Sequence, residues 1–276
     1  MDATPRPSFV HRYPVASFII LTLALGWGTV YLVVQGVLPA ELALASSLSA
    51  SAAGIIITLI VDGRVGLISM LSRLLIWRVG TGYWLFAILF ILTAIFLGSF
   101  ANPLFDGDPI SFSNMKPSFV ILPMFIGFIV FAGLGQELGW TGFLAPRLQA
   151  RFSALTSCVI RALFGLIWHL PLLLYSRLYP QVLPNFPYGA WIAQKGFLVT
   201  IFTITLMLML PWSIFFNWIF NNTKGSLLLV AVLHGSEIWL AYWMLSAGIN
   251  QNNLNNYWGY GAILVLTAIV IVIRTG

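Results

Sequence analysis

Four ionisable residues stand in stretches of sequence that are otherwise apolar, and their types suit hydrolytic chemistry. They are Glu137, His169, His234 and Glu237. The chain has only seven acidic residues and three histidines, and a charge inside lipid is costly enough to need a reason. Two carboxylates and two imidazoles that meet inside a helix bundle could activate water, bind a metal ion or conduct protons. Each histidine alone could be a hydrogen-bonded structural residue, but the four together favour a polar site.

The composition indicates an integral membrane protein before any motif is considered. Of the 276 residues, 60% are hydrophobic and 7% are charged, whereas soluble domains carry roughly 25% charged residues. A soluble protein needs a charged surface, so we set aside soluble enzymes. We also expect no nucleic-acid partner, although the net charge is +6. The single cysteine, Cys158, excludes an internal disulfide framework.

The fold class that we expect is all-α: one integral membrane domain, residues 1–276, with about eight transmembrane helices in one bundle. Long intervals without Asp, Glu, Lys or Arg separate the charged residues, and a spanning helix needs about 20 mostly apolar residues. Continuous apolar runs, rather than alternating ones, argue against a β-barrel. The predicted spans cover residues 15–37, 40–61, 82–103, 117–136, 154–175, 197–220, 225–247 and 258–273.

The basic residues predict the orientation of the bundle. If the N-terminus is cytoplasmic, nine basic residues fall on the inner side and three on the outer side, as the positive-inside rule requires. Both termini are then cytoplasmic, the loops Phe105–Ser118 and Ser176–Gln194 are outside, and the expected location is a prokaryotic cell membrane. Residues 65–79 carry leucines at helical spacing and form a candidate amphipathic helix on the inner surface; a connecting helix packed on the bundle is the alternative.

Three short patterns surround the ionisable residues. In chain order they read Gly135-Gln136-Glu137-Leu138-Gly139-Trp140 with the later Pro146-Arg147-Leu148-Gln149, then Trp168-His169-Leu170-Pro171, then Leu233-His234-Gly235-Ser236. This order resembles the CAAX-protease and bacteriocin-processing family of intramembrane proteases. That family has a Glu-Glu-x-x-x-Arg motif, then a histidine that ends a helix segment, then a His-x-x-x-Asn motif. The resemblance covers residues 117–245, a CAAX-protease-like core, and it implies that Glu137, His169 and His234 are site residues.

Three positions depart from the family pattern. Gln136 stands where the first glutamate, usually taken as the water-activating base, would be. Thr141 replaces the arginine, and Ile238 replaces the asparagine of the last motif. An amide cannot accept a proton as a carboxylate does, so Gln136 cannot be the base.

Either remaining carboxylate could take the role of the base. Burial among apolar helices disfavours the ionised form of Glu137, which makes its carboxylate a stronger base. Glu237 lies three residues after His234, on the same helix face, and beside the missing asparagine. The alternative for Glu237 is a helix-packing carboxyl, protonated or paired with Arg161. We expect supporting roles for Gln136, Thr141 and Ser236.

The sequence is compatible with hydrolysis either with or without a bound metal ion. No His-Glu-x-x-His spacing occurs. His169, His234, Glu137 and Glu237 nevertheless suit a divalent metal such as zinc in type and number, and the same hydrolysis can be drawn without metal.

The function predicted from these residues is an intramembrane endopeptidase. It would hydrolyse a peptide bond in a hydrophobic or prenylated peptide or protein, with membrane lipids as its surroundings. The departures from the family pattern favour an alternative, a catalytically silent immunity or scaffold protein that binds a hydrophobic peptide. A proton-coupled transporter would show two repeated halves with broken helices, and the sequence contains no convincing internal repeat.

Overall fold

The structure is a computed structural model that describes residues 8–110, 121–183, 187–246, 250 and 252–275. These residues form helices and turns without a β-strand, so the all-α prediction is confirmed. In chain order the main helices are α1 (Pro14–Val34), α2 (Ala40–Val61), α3 (Gly63–Ser72), α4 (Thr81–Phe100), α5 (Pro123–Gln149), α6 (Ala154–Leu178), α7 (Tyr188–Lys195), α8 (Phe197–Asn222), α9 (Leu227–Ser246) and α10 (Leu254–Thr275).

Seven of these helices in the described residues are long and apolar enough to cross a membrane: α1, α2, α4, α5, α6, α8 and α10. The protein is therefore a multi-pass integral membrane protein. The apolar part of α9 for which the side chains are described, Leu227–Trp239, is shorter than a full span. A total of eight spans stays a prediction.

The helix α5 runs further than the sequence predicts. The predicted span ends at residue 136, whereas α5 continues to Gln149 and encloses the whole Glu-Leu-Gly-Trp segment. The first residues of the predicted span, 117–120, lie outside the described residues. In the sequence, a carboxylate at position 137 indicates the end of a span. In the structure, a buried arginine compensates the charge of this carboxylate, so the helix can continue through the apolar interior.

The predicted amphipathic segment 65–79 is helical only in its first part. Helix α3 ends at Ser72, and one 3₁₀ turn continues to Leu75. Met70 is buried against the bundle, whereas Val65 points away from it. The placement of this segment on a lipid surface stays a prediction, as does the outer position of the loop Phe105–Ser118, whose residues 111–118 lie outside the described residues.

Small residues bring α5 close to its neighbours and so place the acidic motif at the centre of the bundle. A Cβ atom on Gly139 would collide with the carbonyl oxygen of Ala50 in α2, and one on Gly133 would collide with that of Ala231 in α9. Such close approach of backbones is typical of helix packing in membranes. Glu137 lies between two π-helical segments of α5, a local widening that often marks functional sites.

Candidate active site

The four ionisable residues predicted from the sequence line one cavity of about 600 Å³. Helix α5 provides Glu137, α6 provides His169, and α9 provides both His234 and Glu237. Glu137 and His234 are buried at 1% and 7% exposure, whereas His169 and Glu237 are half-buried. The structure thus brings together all four groups, although it does not test their catalytic roles.

The carboxylate of Glu137 is held by three other side chains. The Nη2 atom of Arg161 donates to both carboxylate oxygens, at 2.9 and 3.0 Å. The Nδ1 atom of His234 lies 2.8 Å from Oε1, and the hydroxyl of Thr141 donates to Oε2. A carboxylate that already accepts from these donors is poorly placed to take a proton from water, and it is well placed to orient His234.

Arg161 reaches this carboxylate from helix α6 and stands in for the arginine that is missing at position 141. Its Nη1 atom donates to the Thr141 hydroxyl at 2.9 Å, and its guanidinium lies 4.8 Å from the centroid of the Phe216 ring. The small Thr141 leaves room for this side chain, which is 6% exposed. The sequence-based alternative in which Arg161 pairs with Glu237 is wrong, because the guanidinium binds Glu137 instead.

Both histidines have one ring nitrogen fixed. The Nδ1 atom of His169 lies 2.8 Å from the carbonyl oxygen of Gly165; since a carbonyl only accepts, Nδ1 carries the hydrogen. The same reasoning assigns a hydrogen to Nδ1 of His234, which faces the Glu137 carboxylate. In the neutral form each ring therefore keeps the lone pair of Nε2 for chemistry. The His234 ring also stacks on Phe216, with centroids 5.2 Å apart.

Glu237 differs from Glu137 in its partners. Among the described residues, its carboxylate makes no hydrogen bond or ion pair. It lines the cavity one residue before Ile238, which stands where the family motif has asparagine. Glu237 is therefore the carboxylate of this cavity that is available to a substrate or to water.

The predicted supporting residues divide into two groups. Gln136 lines the cavity, and Thr141 is bound to the Glu137–Arg161 pair behind it. Ser236 is fully buried, and its hydroxyl donates to the carbonyl oxygen of Val232 at 2.8 Å within its own helix. This bond makes Ser236 a helix-packing residue rather than part of the cavity wall.

Sequence reasoning missed the residues that line the outer part of the cavity. Tyr188 and Trp191 come from α7, and Asn250 and Asn252 come from the segment before α10. Burial, and then the nearby carboxylate of Glu237, raise the pKa of Tyr188 above its ordinary value, so this phenol stays protonated at neutral pH. The only signal in the sequence was the concentration of aromatic and amide residues in these two segments.

The described side chains do not form a metal site. No three His, Cys, Asp or Glu residues in the described part of the chain cluster closely enough to hold a metal ion. The Glu137 carboxylate is also bound by an arginine cation at 2.9 Å, which competes with a metal for the same oxygens. These described residues therefore fit a bound metal ion poorly.

Comparisons with known proteins point to one family. Residues 117–239 match the family model described as type II CAAX prenyl endopeptidase Rce1-like. A relative named CAAX prenyl protease 2, from Methanococcus maripaludis, is 28% identical over 106 residues, which are 38% of this chain and 35% of the relative. The match thus spans about a third of the length of that relative. Residues 117–239 of the chain are therefore similar to the type II CAAX prenyl endopeptidases.

Proposed function

We propose that this protein is an intramembrane endopeptidase that hydrolyses a peptide bond in a hydrophobic or prenylated peptide at the membrane. The observation that carries the proposal is the cavity in which a carboxylate without a partner among the described residues, Glu237, and two histidines face the same space. Peptide hydrolysis needs a base that deprotonates water and donors that stabilise the developing oxyanion. This cavity offers both kinds of group.

Glu237 is the base in this proposal. The Glu137 carboxylate is committed to Arg161, His234 and Thr141, so it orients His234 rather than taking a proton from water. Glu237 follows His234 by about one helical turn, so the two side chains share a face of α9. A water molecule between them would lose its proton to Glu237 as its oxygen attacks the peptide carbonyl.

In this proposal the donors to the oxyanion are the Gln136 amide and, when their rings carry a second proton at Nε2, His169 and His234. A protonated imidazole or a side-chain amide can donate to an oxyanion, and Gln136 lines the cavity beside Glu137. Gln136 would then serve as a donor where the family motif has a base. The proton on Glu237 passes to the amine of the departing peptide, which completes the hydrolysis.

The wall of the cavity suits an apolar substrate. Beyond the ionisable groups, its lining consists largely of aromatic and aliphatic side chains: Trp140, Trp168, Trp191, Trp212, Ile204, Leu208 and Met209. Burial of a hydrophobic or prenylated chain against such a wall is favourable by about 25 cal/mol per Å². This gain applies to a substrate segment that enters the cavity from water.

We further propose that both termini are cytoplasmic and that the protein resides in a prokaryotic cell membrane. The support is the excess of basic residues at one side of the predicted spans. Labelling of a cysteine at Gln181, after Cys158→Ser, should succeed from the outside of intact cells. Residue Ser111, a second predicted outer position, lies outside the described residues and serves as an independent site for the same measurement.

The decisive experiment measures peptide cleavage by the purified protein and by Glu237→Gln. Loss of a general base typically lowers the rate by a factor of about 10²–10⁴, so we expect that loss for Glu237→Gln with normal insertion and folding. The matched control is Glu41→Gln, the same change at an exposed carboxylate, which should keep full activity. Prenylated and unprenylated peptides, each with and without a chelator, identify the substrate class and any metal dependence.

Full activity of Glu237→Gln would refute its role as the base. Binding of the peptides without any cleavage by the wild-type protein would instead show a catalytically silent binder. In that case, the next step would be to restore the family motif by substitution of Gln136 and Thr141, which depart from it.

A further inference from the structure

The helix ends of the bundle separate into two groups, and contacts between loops show which ends lie together. At one end, Arg147 after the acidic motif forms an ion pair with Asp62 after α2. At the same end, Ser226 before α9 donates to the carbonyl oxygen of Ile76 at 2.6 Å. The turns that follow α2, α5 and α8 therefore meet on one side of the molecule.

The opposite end is joined by a network of amides and one carboxylate. Asp108 after α4 accepts from the Nδ2 atom of Asn256 at 2.6 Å and from the backbone of Asn250 at 3.2 Å. Gln194 of α7 donates to the side chain of Asn253 at 2.8 Å. The segments that follow α4, α6 and α9 thus form a common polar rim.

Charge distinguishes these two ends. Arg177 and Lys195 are the described basic residues at the end with the polar rim. Eight described basic residues lie at the other end: Arg12, Arg64, Arg73, Arg78, Arg147, Arg151, Lys224 and Arg274. By the positive-inside rule, the basic end is cytoplasmic and the polar rim is extracytoplasmic.

Among the described residues, those that line the cavity extend to the polar rim and not to the basic end. Tyr188, Asn250 and Asn252 line it, and the two asparagines are also exposed at the surface. Toward the basic end, the buried Glu137–Arg161 pair forms its floor, and fully buried side chains such as Phe143 and Ile219 fill the bundle at that end.

The depth of the site follows from the helix lengths. His169 lies nine residues before the end of α6 at Leu178, which at 1.5 Å per residue is about 14 Å below that end. At roughly 3.4 Å per extended residue, a peptide needs about four residues to reach this depth. A cavity of about 600 Å³ admits such a strand and excludes a folded domain.

From this geometry we infer that the cavity takes its substrate from the extracytoplasmic face. This inference rests on the proposed endopeptidase function and narrows its substrate class. The substrate is an exported or membrane-anchored peptide that presents an extended segment of at least about four residues at the outer surface. A prenylated tail presented on the cytoplasmic side would meet the closed end of the bundle.

Cysteine accessibility tests the inference without any need for activity. In a Cys158→Ser background, Asn252→Cys reports on the rim, Ile238→Cys on the inside of the cavity, and Ala150→Cys, an exposed position at the basic end, is the matched control. A small, membrane-impermeant thiol reagent added to intact cells should label Asn252→Cys and Ile238→Cys, and it should label Ala150→Cys only after permeabilisation.

Each outcome decides the inference. Protection of Asn252→Cys in intact cells would reverse the orientation, and labelling of Ile238→Cys only after permeabilisation would show that the cavity opens to the cytoplasm. Either result overturns the inference, whether or not the protein cleaves peptides. Labelling from outside combined with an inactive protein would retain the outward-facing cavity and refute the proposed catalysis alone.

Discussion

The buried pair of Glu137 and Arg161 links the acidic motif of α5 to helix α6, and it fixes His234 through the same carboxylate. Removal of one partner leaves an uncompensated charge in an apolar interior, which typically costs about 3–5 kcal/mol. We therefore expect Arg161→Gln to lower the thermal unfolding temperature clearly, as measured in detergent, while the exposed Arg151→Gln control leaves it unchanged.

A double variant separates the structural role of this pair from its role in catalysis. Arg161→Gln combined with Glu137→Gln replaces the pair by two neutral amides, so much of the lost stability should return. Activity should not return with it, because the carboxylate that orients His234 is absent. Equal destabilisation by the single and double variants would contradict a direct pair.

The substitution Gln136→Glu tests whether the missing glutamate of the family motif has been replaced. It places a second carboxylate beside Glu137 in apolar surroundings, where like charges disfavour ionisation of both groups. If Glu237 is the base and Gln136 a donor, the peptidase rate should stay the same or fall, with Gln136→Leu as a control that removes the donor without adding charge. A marked gain in rate for Gln136→Glu would contradict this assignment.

The sequence predicted the individual site residues better than their partners. Glu137, His169 and His234 were found because charges in apolar stretches are conspicuous and their order matches a family motif. The pairing of Arg161 was missed because residues 137 and 161 lie on different helices, and their contact depends on the small side chain at position 141. A lone arginine in a span needs an acidic partner, but that rule does not choose between Glu137 and Glu237.

At the scale of the helix, the close packing of α5 on α2 is set by Gly139. An alanine Cβ there would meet the backbone of Ala50, so we expect Gly139→Ala to destabilise the protein by about 1–3 kcal/mol through overpacking. Gly127→Ala on the same helix is the matched control, because its Cβ would have no atom of the described residues within 4 Å. Thermal unfolding of both variants gives the comparison, and equal stability of the two would refute the packing argument.

The helices themselves were predictable, whereas their ends were not. Apolar runs of about 20 residues predict spans because backbone groups in lipid must bond within a helix. The continuation of α5 beyond Gln136 depends on a tertiary ion pair that no local pattern contains. Similarly, the α-helix in the predicted amphipathic segment ends at Ser72, because leucine spacing alone does not determine where a helix ends.

For the whole molecule, the decisive property is a site that lies deep in the bundle and is reached from one end. The catalytic candidates lie near the middle of their helices, and the cavity extends from them to the polar rim at Asn250 and Asn252. Water and an extended peptide can share this path. The depth of the site therefore sets the shape of a cleavable substrate.

Peptides with a folded tag test this depth directly. The tag cannot enter a cavity of about 600 Å³, so a flexible Gly-Ser spacer between tag and scissile bond must span about 14 Å, roughly four extended residues. We expect negligible cleavage with a two-residue spacer and full cleavage with an eight-residue spacer, as measured by product formation with the purified protein. The same peptides without the tag are the control and should be cleaved alike. Equal cleavage of the tagged two-residue and eight-residue peptides would contradict a deep site, because the scissile bond would then be reached at the surface.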